Sequence, residues 1–225
     1  MIQWIFFDLG GTLLDDVPFH DCIYRAMLDI FNEQGCRVSM DEFIVARDLM
    51  VRKRVPVLKS LVLHFTGKES LVDSMMKDLM RRIEGKGPEL QTPFPESEAL
   101  LRTLKQRYEL GIIANQQVVI HDLLKKLGWD RMFGVTIISE EVQLSKPDIR
   151  IFRMALDRAG CKSSEAAMVG DRVDNDVAPA RRLGMKTVRL KMGVFWPQEP
   201  MSEDEVPDLE LPSLKGLSDA LRRLQ

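Results

Sequence analysis

Apolar residues along this chain follow two rhythms. Short, nearly unbroken apolar runs at residues 3–7, 110–114, 135–138, 167–169 and 187–190 have the length and the aromatic or β-branched content of strands buried on both faces. Among them, helices are predicted over 97–107, 118–127, 149–159 and 176–183, and Gly128, Gly160 and Gly184 stop the last three. Strand and helix in alternation predict an α/β chain with a parallel sheet covered by helices on both faces. In such sheets ligands bind beyond the carboxyl ends of the strands.

A helical period takes over after the first strand. From Pro18 to about Gly87, Cys22, Ile23, Ala26, Met27, Ile30 and Phe31 recur on one helix face, and Ser39 with Glu42 forms a capping box before another helix. No strand-like alternation interrupts the stretch before the Gly and Pro cluster of GKGPEL and QTPFP. Two domains are therefore expected: residues 1–15 with 89–225 forming the sheet domain, and 16–88 forming an all-helical insertion placed to act as a lid. The acidic, proline-containing segment 197–212 is predicted as a surface loop ahead of a last helix at 214–224.

Composition narrows the function classes. With 225 residues, 45% hydrophobic and 29% charged, the chain is of the ordinary globular type. Thirty-two basic residues against thirty-four acidic ones give a net charge of -2, so no overall field attracts nucleic acid or a membrane surface, and any anion must be bound locally. The three cysteines, Cys22, Cys36 and Cys161, show no metal-like spacing and fit reduced thiols. The apolar start lacks a basic leader, and no window reaches the roughly 18 apolar residues of a membrane span, so a cytoplasmic location is expected.

Four polar residues follow predicted strands: Asp8, Asn115 and Asp171 at the ends of the first, second and fourth, and Lys146 a few residues beyond the third. At one edge of a parallel sheet they would bring two carboxylates, an ammonium and an amide together, framed by Gly10, Gly11 and Gly170 where backbone approaches closely. Such a set suits a phosphate and a divalent cation.

The segments FFDLGGTL, IIAN, SKPD and VGDRVDND resemble, in order and strand context, the four motifs of the haloacid dehalogenase superfamily. The resemblance spans nearly the whole chain. It implies a Rossmann-like core with an inserted helical C1 cap, as in the phosphatase, phosphonatase, mutase and dehalogenase branch. It also implies phosphomonoester hydrolysis of a small phosphorylated metabolite through an aspartyl-phosphate on Asp8. Lys146 takes the role of catalytic cation, and Mg²⁺ is held by Asp8, Asp171 and the backbone carbonyl of Gly10, with Asp176 orienting Lys146 or a metal-bound water. Gly11, Thr12, Ala114 and Asn115 fall at substrate-binding positions. A carboxylate nucleophile divides one hard displacement into two easier ones, and the cations offset repulsion between it and the phosphoryl group.

Two positions depart from the family pattern. Gly10 replaces the Asp that protonates the leaving oxygen and later activates water, and Ala114 replaces a Ser or Thr that binds phosphate, a role for which Asn115 or Gln116 could substitute. His20, at the start of the helical insertion, is a candidate replacement acid. The basic stretch of Arg47, Arg52, Lys53 and Arg54 either meets a distal anion on the substrate or forms a solvated face. The departures keep a dehalogenase, a phosphonatase and a catalytically weakened binding protein as alternatives. Oligomeric state is not legible.

Overall fold

The computed structural model describes residues 1–224. They divide into two compact units. One comprises Met1–Asp15, Thr92–Trp196 and the chain from Pro200 onward; the other comprises Asp16–Gln91 with Pro197–Glu199. The helical segment thus runs to Gln91, against an expected end at 88, and it recruits three residues expected in the tail of the sheet domain.

The helical unit contains α1 (Val17–Glu33), α2 (Met40–Arg52), α3 (Val57–Thr66) and α4 (Val72–Ile83). Pro18 sits in the first turn of α1, where no intrahelical donor is lost. At α2 the Ser39 hydroxyl accepts from the Glu42 amide at 3.3 Å, and the Glu42 carboxylate accepts from the Ser39 amide at 2.9 Å, completing the capping box. Tyr24, Met27, Phe31, Phe43, Leu61, Met75 and Leu79 form a core of this unit's own. The basic stretch is not one solvated face. Arg47 is buried, pairs with Asp48 at 2.8 Å and lies 5.7 Å from the Tyr24 ring centre. Arg54 donates to the Glu199 carbonyl at 2.5 Å, tying Pro197–Glu199 to this unit, whereas Arg52 and Lys53 are exposed.

Burial pushes the Tyr24 hydroxyl up to about 12, with Arg47 pulling down and Asp16 and Asp48 adding to the rise. The folded protein therefore keeps this proton when the unfolded chain, titrating near pH ~10, has lost it. Stability is intact below that value and falls as pH rises through the folded value, by on the order of 2–3 kcal/mol from this group. Denaturant midpoints at pH 9 and pH 11 are expected to separate less in Tyr24→Phe than in wild type; equal separations would contradict the assignment.

The sheet unit contains β1 (Trp4–Phe7), β2 (Leu14–Asp15), β3 (Thr92–Pro93), β4 (Glu109–Ala114), β5 (Val135–Ile138), β6 (Ala166–Gly170), β7 (Lys186–Leu190) and β8 (Leu209–Leu211). Six strands form one sheet in the order β5-β4-β1-β6-β7-β8, with every neighbouring pair parallel. The helices are α5 (Ser97–Lys105), α6 (Ile120–Lys126), α7 (Ser139–Val142), α8 (Ile149–Ala159), α9 (Ala178–Arg182) and α10 (Leu217–Arg223). Alternation along β1 explains its apolar run: Ile5 and Phe7 face a core with Leu101, Leu104, Leu217 and Leu221, while Phe6 faces Ile151, Phe152 and Ala155 of α8.

Two strand features differ from the sequence expectation. The tail expected as a loop contains β8, an edge strand paired with β7. Its three residues lie between Pro207 and Pro212, too short a run to show a period against that background. The chain also enters and leaves the helical segment through the antiparallel pair β2 and β3, two residues each. Among the described residues, no helix is long and apolar enough to cross a membrane.

Candidate active site

The sheet changes winding direction between β1 and β6, because the chain passes from β1 to β4 and β5 on one side and then returns to β6 on the other. Ligands bind at such switch points beyond the strand ends. Asp8 follows β1 and Asp171 follows β6, so the two carboxylates flank the crevice. The Asp8 amide donates to the Val169 carbonyl at 2.9 Å, and the chain then turns tightly as the amides of Leu13 and Leu14 donate to Leu9 at 2.9 and 2.8 Å.

Lys146 comes from the loop between α7 and α8 and is buried. Its Nζ lies 2.9 Å from Asp8 Oδ1 and 2.6 Å from Asp176 Oδ1. Asn115, just past β4, holds this loop: its Nδ2 donates to the Lys146 carbonyl at 2.9 Å and its Oδ1 accepts from the Lys146 amide at 2.8 Å. Asp176 sits in a π-turn over Val173–Val177, where the Val177 amide reaches back five residues to the Arg172 carbonyl at 3.2 Å. Such wide turns re-aim side chains and recur at functional sites. Here the turn leaves Asp176 Oδ2 to accept from the Arg172 amide at 3.1 Å and aims Oδ1 at Lys146. Gly170 is required beneath it, since a Cβ there would lie 2.4 Å from Asp176 Cγ.

Three carboxylates and one ammonium leave two negative charges in excess. Burial alone would lower the Lys146 pKa, but Asp176 and Asp8 outweigh it and hold the ammonium above its ordinary value. Asp176 bears the cost: burial pushes it up to about 6, Asp8 adds to the rise, and Lys146 and the Arg172 amide pull against it. The excess charge and the donor set fit a divalent cation. Asp8, Asp171 and Asp176 each bring an oxygen, all within 4.8 Å of one another, and the donors are the hard oxygens that Mg²⁺ selects. Backbone opposite Asp171 is kept bare, because a Cβ on Gly11, already at φ +66°, would lie 2.7 Å from Asp171 Oδ2.

The other sequence candidates lie as follows. Gly10 bridges to Leu14 within the turn, and Thr12 is buried with no hydrogen-bond partner for its hydroxyl among the described residues. Ala114 is the buried last residue of β4. The Asn115 side chain is engaged at both ends by Lys146, so the amide holds the lysine loop. The Gln116 amide donates to Ser139 Oγ at 3.1 Å. His20 lies in α1 of the helical unit, 3.5 Å from Asp16 Oδ2. Arg189, buried in β7, is not among the residues expected from the sequence, although a lone Arg inside the apolar run of KTVRL marks it.

Known proteins agree with this architecture. The family described as haloacid dehalogenase-like hydrolase matches residues 5–190. The chain is 37% identical to a glyceraldehyde 3-phosphate phosphatase from Methanopyrus kandleri over 100% of this chain and 99% of that protein. A protein of the same description from Methanocaldococcus jannaschii is 29% identical over the same shares. Among solved structures, a HAD phosphatase from Thermococcus onnurineus shares the fold with a TM-score of 0.63 at 24% identity, covering 98% of each chain. Motifs, sheet order and full-length relatives converge, and the chain belongs to the haloacid dehalogenase-like hydrolase family.

Proposed function

We propose that the protein is a Mg²⁺-dependent phosphomonoesterase acting on a small phosphorylated metabolite, with Asp8 as nucleophile. The observation that carries this reading is the placing of the buried Lys146 ammonium between Asp8 and Asp176, with Asp171 alongside. Asp8, Asp171 and the Gly10 carbonyl would hold Mg²⁺, which supplies positive charge to the phosphoryl oxygens. An Asp8 oxygen attacks phosphorus and the ester P–O bond breaks; the leaving alkoxide takes its proton from water and departs as the alcohol, and a water molecule then hydrolyses the acyl phosphate, releasing phosphate and restoring the Asp8 carboxylate. Lys146 holds the Asp8 carboxylate in place and offsets its charge during the approach. The buried Thr12 hydroxyl, with no partner among the described residues, would donate to a phosphate oxygen.

Glyceraldehyde 3-phosphate is the first substrate to assay, because full-length relatives carry that activity in their names. The helical unit is proposed as the cap that selects the substrate, and free thiols at all three cysteines accord with a cytoplasmic setting. The acidic Asp171 and Asp176 favour metal-assisted phosphoryl chemistry over the metal-free dehalogenase alternative.

Purified protein is expected to release phosphate from an activated aryl phosphate only with Mg²⁺, and chelation is expected to stop it. No Mg²⁺-dependent release would sink the reading. Position 10 carries no carboxylate to protonate the leaving oxygen, so Gly10→Asp is expected to raise turnover of alkyl phosphates by about 10² or more, and aryl phosphates much less. Equal effects on both substrates would show that the proton is not limiting.

A further inference from the structure

Arg189 is fully buried in β7, a place where a parallel strand ordinarily carries an apolar residue. A buried guanidinium is tolerated when it is both neutralised and hydrogen-bonded. Glu210 of β8 neutralises it, with Nη1 3.1 Å from Glu210 Oε2. The remaining donors go elsewhere. Nε donates to the Asp171 main-chain carbonyl at 3.2 Å, and Nη2 donates to the carbonyls of Phe195 and Trp196 at 3.5 and 3.3 Å.

The two segments gripped in this way both bear on the Asp171 carboxylate. One is the Asp171 backbone itself. The other is the chain after β7, which returns over the site: a Cβ on Gly193 would lie 3.0 Å from Gly11 Cα and 3.4 Å from Asp171 Oδ2. The Arg172 guanidinium also lies 4.1 Å from the Phe195 ring centre and pairs with Asp174 at 2.8 Å. A planar fork of fixed geometry can span these carbonyls at once, as a point-charge ammonium cannot.

We propose that Arg189 is a positioning residue for the cation site, fixing the Asp171 carboxylate from behind through the Asp171 carbonyl and from the side through the Gly193–Trp196 segment. It rests on the reading of Asp8 and Asp171 as cation ligands. Groups that orient metal ligands typically change metal affinity by about 10- to 100-fold when removed.

The test is Mg²⁺ affinity of the substrate-free protein by calorimetry, with the spectrum of bound Mn²⁺ as a second readout, at a temperature where circular dichroism shows each variant folded. Arg189→Met, apolar and of similar size, is expected to raise the Mg²⁺ Kd by about 10-fold or more, and Arg189→Lys to restore only part of the loss. Glu210→Gln leaves the carbonyl contacts in place and is expected to stay within about twofold of wild type. With Mg²⁺ saturating, the substrate KM is expected to be unchanged. Variants that melt earlier yet bind Mg²⁺ like wild type would overturn the proposal and assign Arg189 to stability alone; Arg189→Lys decides the matter if Arg189→Met does not fold. Wild type that binds no Mg²⁺, indistinguishable from Asp171→Asn, would instead remove the cation site on which the proposal depends.

Discussion

Replacing Asp8 by Asn is expected to cut phosphate release by at least about 10⁴-fold while leaving the protein folded. The amide is close in size to the carboxylate, and its oxygen can still accept from the Lys146 ammonium that now lies 2.9 Å away. It cannot form an acyl phosphate. The Asp8 side chain is only 14% exposed, and it is the shared outline of amide and carboxylate that lets the substitution fit. Steady-state release from an aryl phosphate measures the loss, and thermal melting checks the fold. Activity within about tenfold of wild type would mean that the attacking oxygen comes from elsewhere.

Lys146→Met is expected to damage both stability and activity. Removing one partner from a buried ionic cluster typically costs about 3–5 kcal/mol, because the remaining charges are left uncompensated. Here Asp8 and Asp176 would both lose the ammonium, whose Nζ is 2.9 and 2.6 Å from them. The sign of the pH dependence follows from Asp176. Lys146 pulls this carboxyl down from where burial and Asp8 push it, so the lysine's removal sends it above its value of about 6. The unfolded chain titrates near ~4, so the penalty is full at pH values above the folded pKa and shrinks as pH falls toward the unfolded one. Turnover is expected to drop by about 10² or more even where the variant is folded. Adding Asp176→Asn to Lys146→Met should recover part of the stability and none of the activity. A double variant no more stable than the single one would contradict the shared-ammonium description.

Asp8, Asn115 and Asp171 are visible in the sequence because each stands where an apolar run stops. WIFF ends at Asp8, IIA at Asn115 and MVG at Asp171, and a parallel sheet gathers strand ends whatever lies between them. Lys146 stands eight residues beyond β5, and its arrival depends on contacts that spacing cannot show: the two hydrogen bonds it exchanges with the Asn115 side chain. The same limit explains what was missed. DNDVAPARR reads as the start of a helix, and the π-turn at its head depends on where Asp176 must point. Arg189 occupies a position that alternation alone would send either to solvent or to the core, and the acceptors that let it be buried lie in segments distant along the chain. Asn115 is expected near the phosphate from its position after β4, and its side chain in addition holds the lysine loop, a contact that spacing does not show.

The clasp of Asn115 on Lys146 also explains a choice of atom. Lys146 turns one N–H and one C=O toward position 115, so only a side chain with a donor and an acceptor on one planar group can answer both, as a neighbouring strand would. Aspartate has the same outline but sets oxygen against oxygen at the carbonyl, and it would add another anion to a site already short of positive charge. At position 115 the amide serves as a single rung of sheet, made by a side chain where no strand passes.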